Sequence, residues 1–171
     1  AVTGDILHKK GEEQEAFAAY DSCLQWKDDN VMALNNYAYY LSEKGVDLHK
    51  AESMSYKTIK AEPNNGTYLD TYAWILFMEE RYADAKIYID QALKNRDSTA
   101  DNSTIIEHAG DIYYMNGMAD ESVDFWKKAY TGENQTEVLA WKIKNRQYIT
   151  EEELKKRNAP KQKSVRKGKK K

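Results

Sequence analysis

An all-α fold assembled from repeated helical hairpins is what this sequence predicts, and three observations carry the prediction. Small residues recur: Ala16, Ala51, Ala85 and Ser122 stand 35, 34 and 37 positions apart, each closing a short polar turn. The runs flanking those turns place apolar residues at i, i+3, i+4 and i+7, the period of one helix face. Only two prolines and eight glycines interrupt 171 residues, which favours long regular elements.

The elements follow in order. In the first unit, about residues 1–30, Gly4 and Leu7 precede the turn at 11–16, and Ala16, Tyr20 and Cys23 follow it. The second, 31–65, has Leu34, Tyr37, Ala38 and Leu41, then a turn one residue longer, then Ala51, Ser55 and Thr58. Pro63-Asn64-Asn65-Gly66 stops that helix and resets the chain. The third, 66–102, repeats the pattern with Leu69, Tyr72, Ala73, Leu76, Ala85, Ile89 and Ala92, and ends in a polar stretch at 97–102 about three residues longer. The fourth, 103–134, has Ile106, Ala109, Gly110, Tyr113, Ser122, Trp126 and Ala129, with Thr104 and Glu107 spaced as a capping box. Residues 135–149 read as one further amphipathic helix covering the last unit, through Val138, Leu139, Trp141 and Ile143. Thr150 with Glu153 reads as a second capping box, opening a short helix before a basic tail that runs to residue 171 and is expected to be disordered.

Four units in this register, over residues 1–134, resemble the tetratricopeptide repeat (TPR) family, and the stretches 35–41 and 71–76 are similar to bacterial members of it. The resemblance implies a right-handed α-solenoid of helix–turn–helix units, residues 1–149, acting as a protein-interaction scaffold. Many bacterial members are attached to the cell envelope. The first unit begins inside its first helix and the chain opens on Ala1, so a processed protein or fragment with further repeats before Ala1 is expected.

Composition narrows the function. One cysteine makes no internal disulfide, and Cys23, at a small packing position, reads as a buried structural thiol. The three histidines, His8, His49 and His108, have no metal-ligand spacing. Phosphate-loop, G-x-S-x-G and H-E-x-x-H motifs are missing, so no catalytic residue, metal, cofactor or small-molecule substrate is expected. The longest apolar run, Tyr72 to Met78, is far below the roughly 20 residues of a membrane span. The N-glycosylation patterns at Asn65, Asn102 and Asn134 fall in polar turns where chance produces them.

The net charge of −2 hides a segregation. Ten of the 26 basic residues lie between Lys155 and Lys171, a stretch without acids, leaving 16 basic against 28 acidic groups before it. In the family the first helix of each unit lines a concave groove. Carried onto this chain, the lining is Asp5 and His8, Asn35 and Tyr39, Asp70, Trp74 and Phe77, then Glu107, Asp111 and Tyr114. Apart from Lys9 it holds no Lys or Arg, which argues against the family's carboxylate clamp. Acids interleaved with aromatics favour a basic or amphipathic peptide. Tyr39, Trp74, Phe77 and Tyr114 serve either as ligand anchors or as packing between helices. The tail (Lys155, Lys156, Arg157, Lys161, Lys163, Arg166, Lys167, Lys169, Lys170 and Lys171) has three readings: a solvated appendage, an attachment to nucleic acid or an anionic membrane surface, or a competitor for the acidic groove. In the second of these the repeats act as a spacer or dimerisation unit.

Overall fold

The computed structural model describes residues 2–27 and 29–159, and among them there are ten α-helices and no strand. In chain order these are α1 (Val2–Lys9), α2 (Glu13–Trp26), α3 (Val31–Lys44), α4 (Leu48–Ala61), α5 (Gly66–Met78), α6 (Tyr82–Asn95), α7 (Ser103–Met115), α8 (Ala119–Ala129), α9 (Glu137–Asn145) and α10 (Glu151–Asn158). A 3-10 turn, Gly132–Asn134, precedes α9. Each odd helix up to α7 packs on the even helix after it, and α3, α5 and α7 also pack on one another in sequence. The result is an α-solenoid in which the core runs along the stack.

The four hairpin turns share one hydrogen-bond pattern. The amides of Gly11, Gly45, Glu80 and Gly117 reach the carbonyls of His8, Ser42, Phe77 and Tyr114. The next amide in each turn returns to Leu7, Leu41, Leu76 or Tyr113. This is the Schellman closure of a helix, which puts its central residue in the left-handed region. Three units place glycine there, with φ of 76°, 64° and 80°; the third places Glu80 there at 61°. The extra residue of the second turn shows up as Asp47, also at positive φ (47°).

Small and large residues are complementary across each hairpin. Gly4 faces the ring of Tyr20 so closely that a Cβ would lie 2.7 Å from it, and a Cβ on Gly110 would strike the indole of Trp126. Tyr20 and Trp126 are fully buried. The third unit has Ala73 and Ile89 at those two positions, both fully buried. A glycine in the first helix is thus matched by an aromatic side chain in the second, and an alanine by a smaller one, keeping interhelix volume filled.

Two local expectations change. α7 starts at Ser103, whose amide is capped by Asp101, and Thr104 with Glu107 forms no capping box. Glu107 instead turns toward α9. The helix expected over 135–149 is shorter: Thr136 caps its start and Arg146, in the left-handed region, ends it at Asn145. Tyr148 and Ile149 extend the apolar pattern but lie in the non-helical stretch after α9, Ile149 fully buried. Thr150 and Glu153 do form the reciprocal box at the start of α10.

Candidate functional site

The concave side is built from the first helices of the units, and the chain's own C-terminal segment crosses it. Tyr39 and Glu43 project from α3, Trp74 and Met78 from α5, and Glu107, His108 and Asp111 from α7. Asn134, Lys142 and the stretch Tyr148–Glu151 form the opposite wall, and the space between is a cleft of about 510 Å³. Of the sequence-derived groove residues, Tyr39, Trp74, Glu107 and Asp111 line this cleft. Asn35, Asp70 and Phe77 are buried beneath it, and Tyr114 packs against Trp126 and Tyr148.

The acids expected to face a ligand are answered within the chain. Both oxygens of Asp70 lie within reach of His108 Nδ1, at 2.9 and 3.1 Å, and the two side chains are buried together. Asp111 accepts from Lys142 Nζ at 2.8 and 2.9 Å and from the Trp126 indole at 2.8 Å. Glu107 accepts from Lys142 at 3.1 Å and from Asn134 at 3.1 Å. Asp5, at the far end, accepts from the Tyr20 hydroxyl and from Asn36. His8 stacks on Tyr40 with centroids 3.5 Å apart.

Burial lowers the proton affinity of His108, but the charge and hydrogen bond of Asp70, with the charges of Asp111 and Glu107, outweigh it and hold its pKa above the ordinary histidine value. Lys142 follows the same logic: desolvation works against the ammonium, and Asp111 and Glu107 more than restore it. Burial, then Glu43 and Asp70, push the Tyr39 hydroxyl well up, so it is a neutral donor and acceptor. Phe77, Trp74 and His108 form a stacked column, with centroid separations of 4.7 and 4.1 Å. The faces of Trp74 are therefore occupied, and its indole Nε1, buried, has no acceptor among the described residues.

Lys142, His108, Glu43, Tyr148 and Ile149 were not among the sequence-derived site residues. One signal was present for Lys142: it lies three positions after Leu139, on the buried stripe of its helix, where a lysine needs an acidic partner. His108 had no comparable signal.

The described part of the basic segment is engaged locally. Lys155 and Lys156 pair with Glu151 and Glu152 one turn earlier, and the Arg157 guanidinium lies 5.2 Å from the Trp141 ring centroid. Lys161, Lys163, Arg166, Lys167, Lys169, Lys170 and Lys171 lie outside the described residues. Cys23 is half-buried, 3.8 Å from Asn30 Nδ2. The amides of Asn102 and Asn134, and both ends of the Asn65 side chain, are engaged within their turns. Among the described residues there is no group of three or more His, Cys, Asp or Glu able to hold a metal, and no helix long and apolar enough to cross a membrane.

No protein-family model matches the chain. One curated relative, TPR repeat-containing protein PA4667 of Pseudomonas aeruginosa, is 35% identical over 66 residues, which are 39% of this chain and 11% of that protein. Among solved structures, PilF of Pseudomonas aeruginosa superposes with a TM-score of 0.70 at 15% identity, over 84% of this chain and 64% of that one. MamA gives 0.63 at 17%, over 84% and 81%. YrrB, a TPR protein with an unusual peptide-binding site, gives 0.57 at 18%, over 84% and 72%. The fold is the tetratricopeptide-repeat solenoid, and the chain resembles bacterial proteins built on it.

Proposed function

We propose that this tetratricopeptide-repeat solenoid is a non-enzymatic interaction scaffold whose concave cleft takes a basic or amphipathic segment of a partner protein. The observation that carries the reading is a pair of groups on the cleft wall, one lacking an acceptor and the other a cation. Trp74 presents a buried indole N–H without an acceptor, and Glu43 is an exposed carboxylate with no cation within 4.0 Å, both among the described residues. With a small rotation of the indole out of its stack, a peptide carbonyl supplies the first with its partner, removing an unsatisfied buried donor. A Lys or Arg side chain beside the Tyr39 ring answers the second, combining ion pairing with a cation–π contact. The remaining cleft charges are compensated internally, so selectivity rests on few groups. The peptide-binding site of YrrB, another protein of this fold, is in keeping with such a role.

The test is selection from a library of basic, aromatic-containing peptides, with affinities read by fluorescence anisotropy. Trp74→Ala combined with Glu43→Lys is expected to weaken the selected peptides at least tenfold while leaving helicity unchanged. Equal affinity in that variant would show that the cleft is not the binding surface.

A further inference from the structure

Building on the cleft as the binding surface, we infer that residues 147–154 are a tethered occupant of the concave face, and that the partner peptide displaces them with an aromatic residue followed by a branched aliphatic one. The chain already seats such a pair. Tyr148 packs edge-on to Phe77 with centroids 5.6 Å apart, lies 6.5 Å from Tyr114, and takes the Lys142 ammonium 5.3 Å from its ring centroid. Ile149 beside it is 2% exposed. Both belong to the non-helical stretch between α9 and α10, so what rests on the groove is a short loop segment that a linear peptide can replace. Two basic residues, Lys144 and Arg146, precede the pair in sequence.

The attachment divides sharply at Arg146. Before it, α9 is fixed by fully buried Leu139 and by Lys142, whose ammonium is closed between Asp111 and Glu107. At Arg146 the backbone has φ 53° and ψ 38°, a left-handed conformation that a non-glycine residue holds only under constraint. After it, the anchors are Tyr148, Ile149 and Leu154, the one buried residue of α10. The polar ties of this last stretch are surface ones: Arg146 to Asp120, Asn158 to Glu137 at 3.1 Å, and Arg157 over Trp141. Exposed contacts of that kind hold weakly. The hinge, the short anchor list and the solvent-facing ties describe a segment that opens without unfolding the repeats beneath it.

The probe is a fluorescein-labelled peptide with the sequence of residues 144–150, which keeps both basic residues and the Tyr-Ile pair without the glutamates that follow, added to the full 171-residue chain. Tyr148→Ala with Ile149→Ala empties the seat, and the peptide is expected to bind this variant at least tenfold more tightly than wild type. Replacing the Tyr-Ile pair of the peptide by Ser-Gly is expected to abolish binding. Equal affinity for both proteins, no binding to either, or equal binding of the Ser-Gly peptide would overturn the inference. If a basic library peptide still needs Trp74 and Glu43 while Tyr148→Ala/Ile149→Ala leaves its affinity unchanged, the tethered occupant is wrong and the cleft reading stands. Should the variant lose its helicity, hydrogen exchange on wild type decides. Amides of 147–158 are expected to exchange at least tenfold faster than those of α5 and α7, and faster still with peptide present. Protection equal to that of α7 overturns the proposal.

Discussion

Burial of His108 against Asp70 makes one proton part of the fold. The His108 side chain is 9% exposed and that of its partner Asp70 8%. Around it stand Asp111 and Glu107 from its own helix, Asp70 from α5, Lys142 from α9 and the Tyr39 ring from α3. Desolvation opposes the charged ring, but Asp70 and the two α7 acids prevail, so the folded pKa lies above the ordinary 6.5. A folded value above the unfolded one means that the proton binds the native state more tightly. The stabilisation is complete below the ordinary histidine pKa and is lost as pH rises through the raised one. Urea midpoints are therefore expected to fall as pH rises above the ordinary histidine value of about 6.5. His108→Gln should flatten that slope, and a slope unchanged by the substitution would remove the pair as its source.

At the scale of the element, the four hairpins are one solution executed four times, and the third departs from it at a single backbone position. Glu80 occupies the left-handed place that Gly11, Gly45 and Gly117 occupy elsewhere. An L-residue there carries a penalty of about 1–2 kcal/mol that glycine avoids, against which glycine loses more freedom on folding, about 0.5–1 kcal/mol. Glu80→Gly is thus expected to stabilise by about 0.5–1 kcal/mol, read as a higher midpoint in thermal or urea unfolding. A lower midpoint would mean that the Glu80 side chain contributes more than its backbone costs. Much of this level was legible in the sequence. The turn register, the small positions and the Thr150–Glu153 box follow from short-range spacing. The Thr104–Glu107 box did not form, because Asp101 was the nearer cap and Glu107 had a distant cation to meet.

For the molecule as a whole, the C-terminal segment matters as much as the repeats, since a solenoid unit buries its apolar face only against a neighbour. α9 covers the last unit through Leu139, which packs with Val123, Trp126 and Ala129. It also drives Lys142, 4% exposed, between Asp111 and Glu107. Removing one partner of a buried pair leaves an uncompensated charge, typically about 3–5 kcal/mol of destabilisation. Lys142→Met is expected to lower the unfolding free energy of the whole chain by that amount, read as a lower urea midpoint at unchanged slope, and Lys142→Met with Asp111→Leu to recover part of it. A midpoint unchanged by Lys142→Met would place the ammonium outside the native interactions.

The division between what was readable and what was not runs along distance in the chain. From the sequence alone came the all-α class, the unit near 34 residues, and the complement of small and large packing positions. Each of these is a local period, repeated often enough to be read without coordinates. The fate of the acids was decided by the tertiary structure. Asp70 meets His108 across 38 residues and Asp111 meets Lys142 across 31, and both pairings depend on how each helix is rotated in the stack. The return of Tyr148 and Ile149 over the groove is of the same kind, because an apolar pair fits a helix pattern and a non-helical seat equally well until the surface it covers exists.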